Sequence, residues 1–268
     1  MPFNMAMAGV GGRIFNLAPL LVEDLALAYN VEAQIASQFP GAAPTKKLDR
    51  IVMTLGGVDF VAASRAGYAI DGDGLHDEAI LIIKIDASTN IYGRGGDGGK
   101  GGDGEWDAEP PGTDLSIAGV SGSSGGTAIR FGCETLIKGS GGLITKGYGG
   151  GGGGGGGATG VGNISGGGGG GGGAALGSGG AKGIDQSLSS DDGVAGTQAT
   201  NTANGTGGAA GGAEAGAGGD GGDSGSAAVA GNIGTKLGGS AGSDGNAIDS
   251  QGFTNSIDGA ITVTGAII

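Results

Sequence analysis

The chain has 268 residues, a formal net charge of −13 and 72 glycines. The excess of carboxylates argues against a nucleic-acid partner, because phosphate binding depends on lysine and arginine. Cys133 is the only cysteine and His76 the only histidine, which argues against disulfides, zinc clusters and histidine-dependent catalysis. We interpret the acidity as a means of keeping a surface with few side chains soluble.

The N-terminal sequence lacks the positively charged region of a signal peptide, and no apolar run approaches a membrane span. We therefore expect a protein that is made in a cytoplasm, is not exported by the general secretory route and does not insert into membranes. Residues 1–17, which include Ile14 and Phe15, are interpreted as an irregular leader. Apolar residues at three- and four-residue steps, among them Leu21 and Leu25, then predict a helix over residues 19–38.

Alternating apolar segments predict strands at residues 50–55, 58–63 and 79–85. With the helix, they predict a small α+β domain in residues 1–92. The acidic stretch 71–78 is similar to a calcium loop, but it lacks the third acidic residue and the spaced final glutamate. We interpret it as a polar loop.

Glycine is sparse before residue 93 and abundant after it: 9 of the 72 glycines lie in residues 1–92 and 63 in residues 93–268. A triplet repeat starts at the boundary, and one position of each triplet is always glycine: Gly93, Gly96, Gly99 and Gly102. A period of three matches the polyproline-II type of helix, and bare glycine faces let neighbouring helices exchange backbone hydrogen bonds. We therefore predict a glycine-rich bundle, or sandwich, of polyglycine-II helices with little regular α or β structure.

Two uninterrupted glycine runs extend from Gly149 to Gly157 and from Gly166 to Gly173. We interpret them as the most buried helices of the bundle, where no face accommodates a Cβ atom. A flexible linker would need no triplet register. Collagen would be rich in proline, of which the chain has six residues, and calcium-binding nonapeptide repeats would recur in tandem.

Glycine-poor connectors should alternate between the two ends of such a bundle. If the first glycine-rich segment runs away from the N-terminal domain, connector 105–118 lies at the far end and connector 127–138 returns near the domain. Connectors 184–204 and 246–258 are the next candidates for the far end. The tail, residues 260–268, alternates like a strand and is predicted to pack back on the protein.

A binding role is predicted for polar and aromatic residues of the far-end connectors. Trp106, the only tryptophan, suits a binding anchor because interface hot spots are enriched in tryptophan. The alternative is that Trp106 folds back and covers the edge of the bundle. The full set of candidate binding residues is Glu105, Trp106, Asp107, Glu109, Pro110, Asp185, Gln186, Leu188, Phe253 and Asn255.

The remaining reactive groups are interpreted as structural. Cys133 lies between Phe131 and Leu136, which favours a buried thiol over a nucleophile. The glycine tracts are not phosphate loops, because none is followed by Gly-Lys-Ser/Thr. We therefore predict no enzymatic activity, no cofactor and no metal.

Two segments together resemble those of a known family. They are Ile91-Tyr-Gly-Arg-Gly-Gly-Asp-Gly-Gly99 and, before the glycine runs, Leu136-Ile-Lys-Gly-Ser-Gly-Gly-Leu-Ile-Thr-Lys-Gly-Tyr-Gly149. Over residues 79–175 the pattern resembles the receptor-recognition adhesins at the distal tip of long tail fibres in T-even-like bacteriophages. The resemblance implies an N-terminal domain that caps a trimeric fibre as one copy. It also implies a polyglycine-II sandwich whose distal loops bind host outer-membrane proteins.

From this resemblance we expect a fibre-capping domain in residues 1–92 and a receptor-binding domain in residues 93–268. The expected partners are the trimeric long tail fibre protein, contacted by Ile14, Phe15, Leu21 and Leu25, and an outer-membrane protein or lipopolysaccharide. The expected location is the distal fibre tip of the virion, after synthesis in the host cytoplasm. The alternatives are a tail-fibre assembly chaperone, which would be absent from mature virions, and a passive glycine-rich structural or coat protein.

Overall fold

The computed structural model describes residues 12–18, 29–42, 44–109, 111–187 and 191–268. The chain divides into two compact units, each assembled from separate stretches of sequence. Unit 1 comprises Met1–Gly93, Thr127–Lys146 and Asn246–Ile268, and unit 2 comprises Arg94–Gly126 and Gly147–Gly245. The chain therefore first passes into unit 2 beside the expected boundary at residue 92. Two later stretches return to unit 1, and the assignment of residues 1–92 and 93–268 to two functional domains stays a prediction.

Unit 1 is built from three sheets in which every strand pairs in parallel with its neighbours. The first sheet has the order β1 (Ile14–Asn16), β3 (Arg50–Leu55), β6 (Ile80–Ile85), β11 (Glu134–Gly139) and β16 (Asn255–Gly259). The second has the order β2 (Tyr29–Asn30), β5 (Ile70–Asp71), β10 (Ile129–Arg130) and β15 (Ile248–Asp249). The third has the order β4 (Asp59–Val61), β7 (Asn90–Tyr92), β12 (Leu143–Thr145) and β17 (Thr262–Thr264). Successive coils of chain visit the three sheets in turn, which is the topology of a parallel β-solenoid.

Alternation along the strands places aliphatic side chains inside unit 1. Ile83 and Ile137 lie in register on neighbouring strands and are fully buried. Ile257 follows them in register on β16 but is only partly buried, because β16 is the last strand of its sheet among the described residues. The core of unit 1 therefore ends at this coil.

The helix of unit 1 is shorter than predicted at its N-terminal side. Helix α1 spans Val31–Gln38, whereas Tyr29–Asn30 forms a strand that pairs with Ile70–Asp71. The side chain of Asn30 accepts a hydrogen bond from the Ala33 backbone amide at 2.8 Å, so it caps the helix and fixes where it starts. The interpretation of Tyr29 and Asn30 as helical was wrong. Residues 19–28, including Leu21 and Leu25, lie outside the described residues.

The predicted strands of unit 1 are confirmed, since β3 spans Arg50–Leu55, β6 spans Ile80–Ile85 and β4 lies within residues 58–63. The tail also packs back as predicted, because β17 pairs with β12. Among the described residues, no helix is long and apolar enough to cross a membrane.

Unit 2 consists mainly of extended segments without regular helix or strand, as predicted for the glycine-rich part of the chain. It also contains two short hairpins, β8 (Trp106–Asp107) with β9 (Thr113–Asp114) and β13 (Gly157–Gly160) with β14 (Asn163–Ser165). The extended segments are joined by backbone hydrogen bonds that recur every third residue. The amides of Gly96, Gly99 and Gly102, for example, donate to the carbonyls of Tyr148, Gly151 and Gly154 at 2.8, 2.9 and 2.8 Å.

The two glycine runs lie at the centre of this network. The run 149–157 exchanges backbone hydrogen bonds with the segments 94–104, 116–126, 165–174, 216–222, 229–233 and 237–245. The run 166–173 is likewise bonded to neighbours on all sides, and every residue of both runs is buried. A Cβ atom on any glycine of either run would overlap backbone atoms of a neighbouring segment. Close backbone approach therefore requires glycine at every position of the runs.

Aspartates at the periphery of unit 2 accept hydrogen bonds from backbone amides of adjacent segments. Asp97 accepts from Ser178 at 3.0 Å, Asp103 from Ile184 at 2.8 Å and Asp220 from Gly207 at 2.7 Å. Buried or edge amides need acceptors, and carboxylates provide strong ones. Part of the acidity thus has a structural role, in addition to the solubility that the sequence suggests.

Candidate functional site

One end of unit 2, which we call the hairpin end, gathers several of the connectors. It comprises the described residues of 105–115, 158–164, 185–191, 212–214 and 234–236. The amide of Gln186 donates to the carbonyl of Gly104 at 2.9 Å, and the amide of Thr235 donates to the carbonyl of Glu214 at 2.8 Å. The hydroxyl of Thr235 also donates to the Asp114 carboxylate at 3.0 Å. These contacts hold loops from distant parts of the sequence together.

Trp106 lies in β8 and pairs with Asp114 across the first hairpin. Its indole ring is partly buried over Gly112, where a Cβ atom would come within 2.9 Å of the ring atom Cζ2. Gly112 also has a φ of +77°, a backbone conformation that favours glycine. The ring is therefore held by its own hairpin and keeps part of its surface open to solvent. Both interpretations of Trp106, edge cover and binding anchor, fit this position.

Carboxylates dominate the surface around Trp106. Glu105, Asp107 and Glu109 are exposed, and Asp107 accepts a hydrogen bond from the Glu109 amide at 2.9 Å. Asp114 is paired with Lys236 at 3.3 Å. Burial raises the pKa of Asp114, but hydrogen bonds from Ser116, Thr235 and Lys236 outweigh it and hold that pKa below its usual value. The hairpin end is consequently anionic at neutral pH.

The loop after residue 184 contributes a structural residue and an exposed one. Asp185 is 5% exposed and accepts a hydrogen bond from the Ser187 amide at 2.7 Å, so it shapes the loop from inside. Gln186 is exposed. Asp192 forms an ion pair with Lys182 at 2.7 Å and accepts from the Asp185 amide at 2.9 Å. The predicted contacts Pro110 and Leu188 lie outside the described residues.

Phe253 and Asn255 belong to unit 1, whereas Trp106 belongs to unit 2. Phe253 packs partly buried against the core of unit 1, and Asn255 begins β16. The connector 246–258 resembled the far-end connectors in composition. In the structure, however, this connector contains β15 and the start of β16, which pair with β10 and β11.

The residues predicted to attach the fibre differ in exposure. Ile14 is half-buried in β1, whereas Phe15 is fully buried in the core of unit 1. The Phe15 ring packs edge-on against Phe39 with ring centroids 5.3 Å apart, and the Arg13 guanidinium lies 4.9 Å from its centroid. Phe15 therefore holds β1 in place from inside and does not present its ring to solvent.

The potentially reactive side chains of unit 1 that we describe here are either ion-paired or buried. Arg130 binds Asp71 and Asp73 at 2.8 Å each, so these two carboxylates of the predicted polar loop serve an ion pair. Cys133 is fully buried, and burial raises the pKa of its thiol to about 12. Such a thiol is not a nucleophile at neutral pH.

Sequence reasoning missed several exposed aliphatic residues near the hairpin end. Val161, in the second hairpin, is 68% exposed, and Ile233 and Leu237 flank the turn 234–236. Each is a single apolar residue among glycines and polar residues, without a period that would mark it. The sequence indicates them only in one way: a large aliphatic residue in a glycine-rich segment has no hydrophobic core into which it can pack.

In unit 2, loops from distant parts of the sequence thus meet at one end of a network of backbone hydrogen bonds. The chain belongs to the phage tail fibre adhesin Gp38 family, whose sequence profile matches residues 23–268. The family is one of adhesins, proteins of viral tail fibres that act in host attachment, and the resemblance seen in the sequence is confirmed.

A solved structure has the same overall fold. It is described as the crystal structure of the gp37-gp38 adhesin tip complex of the bacteriophage S16 long tail fiber. The match has a TM-score of 0.52 and 22% sequence identity, and it covers 95% of this chain and 82% of that chain. A comparison with curated protein sequences gives no match.

Proposed function

We propose that the protein is the adhesin at the distal tip of a bacteriophage long tail fibre and that the hairpin end of unit 2 binds a receptor on the host outer membrane. The observation that carries this proposal is the position of Trp106. It is a partly open aromatic ring on a hairpin that rigid glycine segments support. Family membership gives the adhesin role, and aromatic anchors on preorganised loops are the usual sources of binding energy.

The supporting scaffold is a sandwich of polyglycine-II helices. The three-residue recurrence of the backbone hydrogen bonds and the enclosed glycine runs support this assignment. A network bonded in this way has little freedom, so the hairpin end loses little conformational entropy when it binds. Function then resides in loops that can change without altering the scaffold.

Unit 1 attaches the protein, as one copy, to the tip of the trimeric tail fibre protein. The similar solved structure is a gp37–gp38 complex, which supports a fibre protein as partner. Ile14 on β1 is a candidate contact, and Phe15 supports it from the core. In this arrangement the chain is located at the fibre tip of the virion and is made in the cytoplasm of the host.

Replacement of Trp106 by alanine tests the receptor site. Phage carrying Trp106→Ala should contain the protein in normal amount and lose adsorption to the propagating host. Val229→Ala is the control, because it truncates a 51% exposed apolar side chain of unit 2 outside the hairpin end, and it should leave adsorption unchanged. Full adsorption of the Trp106→Ala phage would refute the site. Absence of the chain from mature virions would instead favour the assembly chaperone.

A further inference from the structure

Many acidic residues of this chain are followed directly by glycine, a pairing that is chemically labile in an unfolded polypeptide. These residues are Asp71, Asp73, Asp97, Asp103, Asp192, Asp220, Asp244 and Asp258, and Asn204 also precedes a glycine. Glycine has no Cβ atom to hinder its own amide, so its nitrogen can attack Cγ of the preceding side chain. The nitrogen gives up its proton as the five-membered succinimide closes, and water leaves a protonated carboxyl or ammonia leaves a carboxamide. Water then opens the ring to aspartate or to isoaspartate.

In unit 2, both reacting groups of each Asp-Gly pair are engaged by an adjacent segment, an arrangement that we call the Asp-Gly clamp. In the pair Asp97-Gly98, the carboxylate accepts a hydrogen bond from the Ser178 amide at 3.0 Å, and the glycine amide donates to the Ser178 carbonyl at 2.8 Å. The pair Asp103-Gly104 binds the amide and the carbonyl of Ile184 in the same way, at 2.8 and 2.9 Å. The attacking nitrogen and the attacked carboxyl are therefore both bonded elsewhere.

The other three Asp-Gly pairs of unit 2 form the same two hydrogen bonds, with two residues of the adjacent segment instead of one. Their carboxylates, those of Asp192, Asp220 and Asp244, accept from the amides of Asp185, Gly207 and Gly149 at 2.9, 2.7 and 3.0 Å. Their glycine amides, those of Gly193, Gly221 and Gly245, donate to the carbonyls of Gly183, Gly205 and Gly147 at 3.0, 3.0 and 2.8 Å. The clamp thus recurs at every Asp-Gly pair of this unit.

Asn204-Gly205 is restrained in a similar way. The Asn204 carboxamide donates to the Gly221 carbonyl at 2.6 Å, and the Gly205 amide donates to the Gly172 carbonyl at 2.7 Å. Ring closure requires the glycine nitrogen to leave its acceptor and turn towards Cγ. Because an amide that loses its acceptor inside a folded network is costly, each of these pairs has to open before it can react.

Two of the three Asp-Gly pairs of unit 1 are also restrained. The Asp71 carboxylate binds the Arg130 guanidinium at 2.8 and 2.9 Å, and the amide of Gly72 donates to the Arg130 carbonyl at 2.9 Å. Asp258-Gly259 lies in β16, which is paired in register with β11. Closure of a ring there would pull the glycine nitrogen out of an extended strand.

Asp73-Gly74 is the pair that lacks such restraints. It lies in the turn between β5 and β6, where both residues are exposed. The Gly74 amide donates to no acceptor within the described part of the chain. The Asp73 side chain is 68% exposed, and its ion pair with Arg130, at 2.8 Å, engages one carboxylate oxygen, Oδ2. Water therefore reaches the carboxyl, and the attacking nitrogen is free.

We propose that Asp73-Gly74 is the site at which the folded chain converts to isoaspartate, and that the clamps keep the six pairs of unit 2 in their native covalent form. The conversion needs only water, since one molecule leaves as the ring closes and one returns as it opens. Isoaspartate adds a methylene group to the backbone of the turn and shifts the carboxylate relative to Arg130. The Arg130 contact with Asp71 remains. The scaffold thus suppresses a lability that its own glycine-rich sequence creates.

The test compares the variants Asp73→Asn and Asp220→Asn in the purified full-length chain. Each variant places asparagine before glycine, and asparagine loses ammonia at neutral pH without prior protonation. The amide oxygen of asparagine can still accept from Gly207, so the clamp at position 220 is kept. The proteins are incubated in H₂¹⁸O at pH 7, folded or in concentrated urea, and peptide mapping by mass spectrometry measures the ¹⁸O incorporated at each pair.

In the folded state, Asp73→Asn should deamidate at least tenfold faster than Asp220→Asn and than Asn204 of the wild type. In urea the two variants should react at similar rates. Rapid reaction of both variants in the folded state would refute protection by the clamps, and slow reaction of both would refute Asp73-Gly74 as the open site. Should Asp220→Asn fail to fold, Asn204-Gly205 of the wild type is the clamped reference.

The wild-type chain provides an independent check of the site. Folded wild type should incorporate ¹⁸O in the peptide that contains Asp71 and Asp73 before it does so at any pair of unit 2. Asp73→Glu should abolish this labelling, because glutamate keeps the carboxylate but cannot close a five-membered ring with Gly74. Labelling that persists in Asp73→Glu would assign the reaction to Asp71 and overturn the proposed site.

Discussion

Gly152 lies in the middle of the first glycine run and offers a direct test of the scaffold. A methyl group on Gly152 would overlap the carbonyl oxygen of Gly239 and lie 2.6 Å from its carbonyl carbon. Both obstacles are backbone atoms, so no side chain can rotate away. The segment 237–245 would have to move, and with it the hydrogen bonds of Gly239 to Gly153 at 2.7 Å and of Gly231 to Gly239 at 2.9 Å.

The cost of Gly152→Ala follows from these contacts. Overpacking costs about 1–3 kcal/mol, and each weakened backbone hydrogen bond adds about 0.5–1.5 kcal/mol. Alanine restricts the unfolded chain and returns about 0.4–1 kcal/mol. We therefore expect a net loss of about 1–6 kcal/mol in the free energy of unfolding. At roughly 2–4 °C per kcal/mol, the melting temperature should fall by about 2–24 °C.

Calorimetry of the purified tip complex measures this effect. Gly162→Ala is the control, because no atom lies within 4 Å of a Cβ at Gly162, in the second hairpin. It should leave the melting temperature unchanged or raise it slightly, since only the unfolded chain is affected. A Gly152→Ala protein that melts within 1 °C of wild type, on the order of a few tenths of a kcal/mol, would refute the close packing of the runs.

Three further predictions concern unit 1. Ile137→Ala should cost about 2–5 kcal/mol in urea unfolding, whereas Ile257→Ala should cost clearly less, because Ile257 is only partly buried; equal losses would contradict an exposed last coil. Burial raises the pKa of Asp49, but hydrogen bonds from Arg13 and the Lys46 amide outweigh it and keep the pKa below its ordinary value. The stability that Asp49 contributes is therefore present above the ordinary aspartate pKa, about 4, and is lost as the pH falls through the lowered pKa. The Asp49→Asn variant should have a lower melting temperature than wild type at pH 7, and its melting temperature should decrease less than that of wild type between pH 5 and pH 2. Cys133, with a thiol pKa raised to about 12 by burial, should resist iodoacetamide in the native protein and react after unfolding, and rapid native labelling would contradict its burial.

Local sequence patterns predicted the elements of unit 1 but not how they pair. The alternation in residues 50–55 is sufficient to identify β3, because a half-buried strand needs period-two hydrophobicity. Parallel pairing of β3 with β6 and of β6 with β11 joins residues that are tens of positions apart. No local signal records such pairing, and the return of Thr127–Lys146 and Asn246–Ile268 to unit 1 depends on it.

The sequence predicted the position of those candidate residues that directly follow a glycine-rich segment of unit 2. Trp106 and Gln186 follow glycine segments that run in the same direction, and both lie at one end of unit 2; the sequence made connector 184–204 only a candidate for that end. Counting such segments failed for Phe253, because the segment before it enters unit 1. It also could not reveal that Asp185 is buried, since that depends on a hydrogen bond to Ser187 within a tight loop.

The physical demands of the scaffold determine where binding residues can lie. Positions that approach another backbone, as in the runs 149–157 and 166–173, accept only glycine and cannot contribute a side chain to any partner. Peripheral positions that satisfy amides are restricted to acceptors such as Asp97 and Asp103. The connectors and the outward positions of the peripheral segments are left free of both constraints. A large apolar side chain at such a position, as at Leu237, is therefore more informative about binding than it would be in a protein with an ordinary hydrophobic core.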